Sequence, residues 1–289
     1  MRACGAVLLI ILAGIFDSAA VAVADEAVER GRYLFRVAGC GGCHTTEVQN
    51  SDALLLAGGR AIETPFGTFY ATNITPDPEH GIGKWSREDF HRAMREGLSP
   101  DDSPYYPAFP YTSYTALSDP DIEDLWRYLQ SVTPAAIAER PHELAFPFSL
   151  RALLRPWRRL YFKAGPYEAN ESKDQVWNRG AYLVEVVGHC GECHSPRGFL
   201  GQVDKSLALS GNPTGPEDEA APSIRPDSKH GIGSWSIEDI ETYLSFGMTP
   251  AGDFAGGAMA DVIKRSTQYL SESDQTAIAR YLSETEPEP

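Results

Sequence analysis

The chain has 289 residues (31.6 kDa), of which 42% are hydrophobic and 22% charged, a composition that excludes wholesale disorder and a length that suits two domains. Its 25 Lys and Arg stand against 40 Asp and Glu, and the resulting net charge of -15 repels phosphate backbones, so nucleic acid is not expected as a partner. Five cysteines are too few for a disulfide-dense scaffold, and their spacing matters more than their number.

Residues 1–24 read as a signal peptide. Arg2 opens the segment, Ala6 to Phe16 is an apolar run, and Ala22-Val23-Ala24 supplies the small-x-small pattern before Asp25, with cleavage expected after Ala24. The apolar run is shorter than the ~20 residues that span a bilayer. Export to the periplasm follows, and Cys4 is lost with the leader, leaving Cys40, Cys43, Cys190 and Cys193.

The remainder repeats itself. Cys40-Gly41-Gly42-Cys43-His44 recurs 150 positions on as Cys190-Gly191-Glu192-Cys193-His194, and His80-Gly81-Ile82-Gly83-x-Trp85 recurs at the same offset as His230-Gly231-Ile232-Gly233-x-Trp235. Arg30-Gly31, Tyr33 and Leu34 match Arg179-Gly180, Tyr182 and Leu183 at 149, and Leu117-Ser118 matches Leu270-Ser271 at 153. The expected organisation is domain 1 over 25–135, a linker over 136–170 and domain 2 over 171–289. Each copy reads as all-α. Helices are expected over 29–37 and 177–187, after the capping boxes at Ser86 and Ser236, and from Ser118 and Ser271 onward. Gly/Pro-rich loops without β alternation join them, long enough to suggest that they wrap something other than themselves.

The linker differs in charge. Residues 25–130 carry 9 basic and 17 acidic side chains (-8) and residues 171–289 carry 9 and 19 (-10), whereas residues 131–170 carry 6 and 3 (+3). Its basic stretch 151–163 reads either as a helix packed on both domains or as a contact for a partner or an anionic membrane surface.

Cys-x-x-Cys-His is the attachment signature of c-type haem. Two thiols three positions apart reach both vinyl groups of one porphyrin, and the following imidazole reaches the iron. The motif occurs twice, so two covalently bound haem c groups are expected, through Cys40 and Cys43 and through Cys190 and Cys193, with His44 and His194 on the metal. Structural zinc, a redox dithiol and a disulfide are the competing readings, and none requires a His directly after the second Cys in both copies. Met259, in a Gly/Ala-rich loop, is the expected distal ligand of the second haem. Its counterpart is Phe109, which cannot ligate iron. The first site is therefore five-coordinate, or takes a ligand from His80, His91, Tyr105 or Tyr106. Met94 is expected on a helix core face, Met248 belongs to the second copy, and His91 is expected in solvent.

Thr72-Asn73-Ile74-Thr75-Pro76-Asp77, Gly81-Ile82-Gly83-x-Trp85, Tyr106-Pro107-Ala108-Phe109-Pro110-Tyr111, Trp177-Asn178-Arg179-Gly180 and Gly256-Gly257-Ala258-Met259 together resemble the cytochrome c subunits of periplasmic alcohol, gluconate, sorbitol and aldehyde dehydrogenases. The resemblance runs over essentially the whole mature length. It implies two tandem class I cytochrome c domains with His44 and His194 proximal and Met259 distal. It also implies an electron-transfer role: a dehydrogenase catalytic subunit as donor, and a quinone, another cytochrome or an oxidase as acceptor. Many members of that family carry three haems, and relatives have either Met or Phe where Phe109 stands. No substrate-oxidising constellation is apparent in the chain. The alternative expectation is a dihaem oxidoreductase, peroxidase-like or sulfur-compound oxidising, working at an open first haem; a haem-based sensor ranks last.

Overall fold

A computed structural model describes residues 26–46, 56–215, 219–227 and 231–285. The leader read over 1–24 and His230 lie outside the described residues. Helix α1 (26–37) leads through a left-handed Gly39 into the short helix α2 (Cys40–His44). Further on come α3 (Arg87–Glu96), α4 (Tyr111–Tyr114) and α5 (Asp119–Ser131). The second half repeats the order with α7 (Gln175–Tyr182), continued by a wider π turn over Leu183–Val187, then α8 (Gly191–His194), α9 (Ile237–Phe246), α10 (Gly257–Arg265) and α11 (Glu272–Glu284). Between the halves stands α6 (Leu154–Tyr161).

The helix boundaries follow from local chemistry. In α3 the Ser86 hydroxyl accepts from Asp89 N–H at 3.1 Å while the Asp89 carboxylate accepts from Ser86 N–H at 2.9 Å. Ser236 and Asp239 do the same for α9 at 3.1 and 2.8 Å, so both expected capping boxes form. Ser118 and Ser271 cap α5 and α11 as expected. The repeated Arg-Gly pair has a packing reason. Arg179 holds Asp274 at 2.7 Å where α7 crosses α11, and a Cβ on Gly180 would stand 2.0 Å from the carbonyl oxygen of Ala277. Arg30 and Asp124 make the same 2.7 Å pair where α1 crosses α5, against Gly31. Only a residue without a side chain permits those crossings.

The repeated tyrosines join the halves reciprocally. Tyr33 donates to Asp274 at 2.5 Å and accepts from Ser271 N–H at 3.2 Å. Tyr182 donates to Asp121 and accepts from Ser118 N–H at 3.0 Å. Each half thus caps the last helix of the other. Replacing both tyrosines by Phe removes these bonds without opening space, and we expect a loss of about 2–3 kcal/mol in denaturant unfolding, at roughly 1–1.5 kcal/mol per site; an unchanged midpoint would show that the exchange contributes nothing. Asp274 also sets an acid limit. Burial pushes its carboxyl up, but the donors Arg179 and Tyr33 outweigh that and hold it below the ordinary 3.8. The unfolded chain takes this proton at a higher pH than the folded one, so the contribution is complete above 3.8 and is lost as pH falls through the folded value. Asp274→Asn should flatten that acid dependence.

The all-α expectation needs correction. The described residues include a three-stranded antiparallel sheet of β1 (Ala61–Thr64), β2 (Gly67–Tyr70) and β3 (Glu143–Leu144), with Ile62 opposite Phe69 and Gly67 opposite Leu144. Strands of four and two residues are too short for alternation to announce them. The linker range 136–170 carries a helix packed on both halves, the first of its two readings above. It supplies β3, and its helix reaches both halves: Arg151 donates to Pro104 O and Arg158 to Gly97 O, both at 3.2 Å, while Trp157 Nε1 donates to Leu200 O at 3.0 Å. Among the described residues, no helix is long and apolar enough to cross a membrane.

Candidate functional site

Cys40, Cys43, His44, Cys190, Cys193 and His194 all line one continuous cavity of about 2150 Å³. Its apolar walls repeat too: Ile82, Trp85, Phe90 and Met94 on one side, Ile232, Trp235, Ile240 and Leu244 on the other. The turns that bring both tryptophans there are alike. Ile82 N–H donates to Thr75 O at 2.8 Å and Ile232 N–H to Arg225 O at 2.9 Å.

The two motif histidines are oriented alike. His44 Nδ1 lies 2.7 Å from Thr72 O, and His194 Nδ1 lies 2.7 Å from Pro222 O. A carbonyl only accepts, so Nδ1 carries the hydrogen in both rings and Nε2 keeps its lone pair. Burial lowers the proton affinity of both imidazoles, with the carbonyl bond opposing in part, which favours the neutral, ligating form. Cys40, Cys190 and Cys193 are half-buried, and desolvation by their surroundings pushes their thiols up, Cys40 and Cys190 to about 12 and Cys193 to about 11. A redox Cys-x-x-Cys has the opposite signature, a lowered thiol. The four cysteines form no disulfide, and no described group of three or more His, Cys, Asp or Glu is placed to hold a metal ion, so the donor set does not suit structural zinc. Two thiols, one imidazole and an apolar cavity beside each motif do fit a covalently held haem. The volume is about twice the ~1,000 Å³ upper end of an ordinary single-ligand pocket.

The two motifs are packed against opposite halves. In α8, Glu192 accepts from Thr112 and Ser113 of α4 at 3.0 and 3.2 Å, and the Tyr114 ring stacks on His189 at 5.3 Å. In return Ser266, at the end of α10, donates to Val37 O at 2.6 Å, and the Arg265 side chain lies along Gly42 of α2. The segments that follow Phe109 and Met259 in the repeat therefore each rest on the other half's Cys-x-x-Cys-His turn. Across the cavity, Cys43 adds to the upward push that burial gives Cys193.

Met259 lines the cavity, but not from a loop. It lies in the first turn of α10, whose start is held by the Glu219 carboxylate accepting from Ala258 N–H at 2.8 Å. The sequence shows two glycines there and not the distant cap. Phe109 lines the cavity too, its ring 5.6 Å from Tyr105 and 5.9 Å from Tyr114. Of the residues named for the first site, His80, Tyr105 and Tyr106 line the cavity, and Tyr106 spends its hydroxyl on Phe148 O at 3.0 Å. His91 does not line it and is not simply solvated: Nε2 stands 3.1 Å from Asp119, beside the Arg95–Asp119 pair. Met94 is buried on the core face of α3 and Met248 is exposed, outside the cavity lining. Sequence reasoning missed His142, which stands on the cavity wall directly before β3. Its Nδ1 accepts from Tyr70 N–H at 3.2 Å, so the hydrogen sits on Nε2 and the ring offers the cavity a donor, not a lone pair.

This geometry, a duplicated Cys-x-x-Cys-His turn with carbonyl-oriented imidazoles in an apolar cavity, is that of a c-type cytochrome, and a cytochrome c family model matches residues 28–133. The chain is 45% identical over 257 residues to a diheme cytochrome c-type protein of Cereibacter sphaeroides, covering 88% of this chain and 84% of the relative. The chain belongs to the c-type cytochrome family. It is also 42% identical over 257 residues to the fructose dehydrogenase cytochrome subunit of Gluconobacter japonicus, covering 88% of this chain and 52% of the relative. With the cytochrome c subunit of the quinone-dependent alcohol dehydrogenase of Gluconobacter oxydans it shares 41% over 275 residues, 92% of this chain and 56% of the relative. The chain thus spans a little over half the length of each of these two dehydrogenase subunits.

Proposed function

We propose that the protein is a periplasmic dihaem electron carrier, released from its leader after Ala24. It would take electrons from a dehydrogenase catalytic subunit and deliver them to a quinone, another cytochrome or an oxidase. The observation that carries this reading is that both Cys-x-x-Cys-His turns open into one cavity, each supported by the other half. Residues 25–135 and 171–289 act as two cytochrome c domains, with 136–170 between them. Cys40 and Cys43 would hold one haem and Cys190 and Cys193 the other, with His44 and His194 as their iron ligands and Met259 as a second ligand of the latter. When bound, the haem iron supplies reversible one-electron chemistry. The protein's part is to orient the imidazoles through Thr72 O and Pro222 O, to exclude water with the apolar walls, and to hold the two sites at a fixed separation. The names of the fructose and alcohol dehydrogenase relatives support a dehydrogenase as donor.

The test mixes reduced holoprotein with a basic cytochrome c as acceptor under stopped flow. We expect bimolecular oxidation of both haems, slowing as salt rises because the two domains carry -8 and -10. Rapid carbon monoxide binding at one haem, together with peroxide or sulfur-compound turnover and no outer electron transfer, would favour a dihaem oxidoreductase instead. Phe109, standing at the position of a missing Met, is what keeps that second reading in view.

A further inference from the structure

The repeat leaves exposed in the second half a turn that it covers in the first. The turn from Gly97 to Pro104 and its counterpart from Gly247 to Phe254 share one backbone. Gly97 and Gly247 are both left-handed, and Leu98 bridges Pro104 as Met248 bridges Phe254. Tyr105 N–H donates to Gly97 O at 2.9 Å, and Ala255 N–H donates to Gly247 O at 2.8 Å. In the first half the linker lies over this turn. Arg151, Leu154, Arg158 and Phe162, three or four positions apart, form one stripe along α6 and the residues flanking it. Arg151 donates to Pro104 O and Arg158 to Gly97 O; Leu154 is buried against Phe69 and Tyr106, and Phe162 packs on Tyr111 at 5.0 Å. Pro104 is buried there. The second turn has no such cover among the described residues. Phe254 is 69% exposed and Met248 40%, and as a cross-strand pair they project from the same side of the turn. Phe246, at the end of α9, is 74% exposed. None of the three lines the cavity. No described side chain donates to Gly247 O or Phe254 O, the counterparts of the carbonyls that Arg158 and Arg151 hold.

We propose that the turn from Gly247 to Phe254 seats a helix of a partner protein, one that carries the inner stripe of α6: two arginines seven positions apart, an apolar residue between them and another beyond. The repeat defines this occupant. The same two carbonyls on the same backbone call for the same two guanidinium donors, and the Met248–Phe254 pair calls for the apolar residues between them. The second half carries -10, which draws a cationic helix. Phe246, Met248 and Phe254 stand where the first half has Glu96, Leu98 and Pro104, so the uncovered turn is the more apolar of the two, the reverse of what solvent alone would favour. There is room beside it: a Cβ on Gly252 or Gly256 would meet nothing within 4 Å, and Tyr106 fills the place of Gly256 in the first half. The linker of this chain, and equally that of a second copy, is spent on its own first half.

The test supplies the stripe in trans, as a fluorescent peptide of residues 148–165 added to the intact holoprotein and followed by anisotropy. We expect one peptide to bind per chain. M248S/F254S in the protein should weaken binding roughly tenfold or more at unchanged charge. R151Q/R158Q in the peptide should weaken it by a similar factor, and a scrambled peptide of the same composition should bind roughly tenfold more weakly than the native one. V176S, at an exposed apolar position of α7, should leave binding unchanged. The substituted positions of the protein are all exposed, and an unaltered haem content and visible spectrum verifies each variant. Absent binding, equal binding of the scrambled peptide, or binding that M248S/F254S does not change overturns the proposal. A dimer in sedimentation that M248S/F254S dissociates also overturns it, because the face then belongs to a second copy. The assay needs no electron donor or acceptor, so its outcome is independent of the electron-transfer reading.

Discussion

Met259→Ala should lower the midpoint potential of the second haem by on the order of 0.1 V, a fraction of the roughly 0.8 V that axial ligation spans, and should let its reduced iron bind carbon monoxide. A thioether favours the reduced iron, so its loss moves the potential down. Met259 lines the cavity from the first turn of α10, and that helix is anchored at both ends. Glu219 fixes its start through Ala258 N–H, and Ser266 fixes its end to Val37 O of the first half. A methionine that merely packed would behave differently, because truncation would cost stability and leave both potential and carbon monoxide binding unchanged. Redox titration with and without carbon monoxide separates the two.

Phe109→Met should do the reverse at the first site. We expect its potential to rise by on the order of 0.1 V and any carbon monoxide binding there to be lost. Phe109 occupies the repeat position of Met259 and lines the same cavity, held between Tyr105 and Tyr114. Met is unbranched and adapts to such a gap at small packing cost. Under the proposed ligation, the unlike pair, Met on one side and Phe on the other, would give the two sites different potentials and so a preferred direction for an electron between them. An unchanged potential in the variant would mean that residue 109 does not face the first iron.

What the sequence disclosed was the chemistry written into adjacent residues. Cys40, Cys43 and His44, with their repeat, are legible as candidates because the proposed attachment and ligation depend on spacing alone. The capping boxes at Ser86 and Ser236 are legible for the same local reason. The repeated Arg-Gly and Tyr positions are visible as a pattern, but their purpose lies far along the chain: Gly180 meets Ala277, and Tyr33 meets Asp274 of the opposite half. No periodicity shows such a meeting. Met259 stands out in the sequence as a candidate ligand but reads as part of a loop, because Gly256 and Gly257 weaken local helix propensity while the stabilising carboxylate of Glu219 is distant. The small sheet escapes a sequence reading because β3 is two residues supplied by the linker, and with it goes His142. The orientation of His44 and His194 through Thr72 O and Pro222 O, 28 residues away in each case, likewise needs the fold.

The measurement that bears most directly on the account is the haem stoichiometry of the intact, processed chain, taken as its denatured mass together with its pyridine haemochrome absorbance. Two covalently bound haems per chain, falling to one when Cys190 and Cys193 are both replaced by Ser, is the result expected. A chain carrying one haem or none, with the remaining thiols free to alkylate, would contradict it.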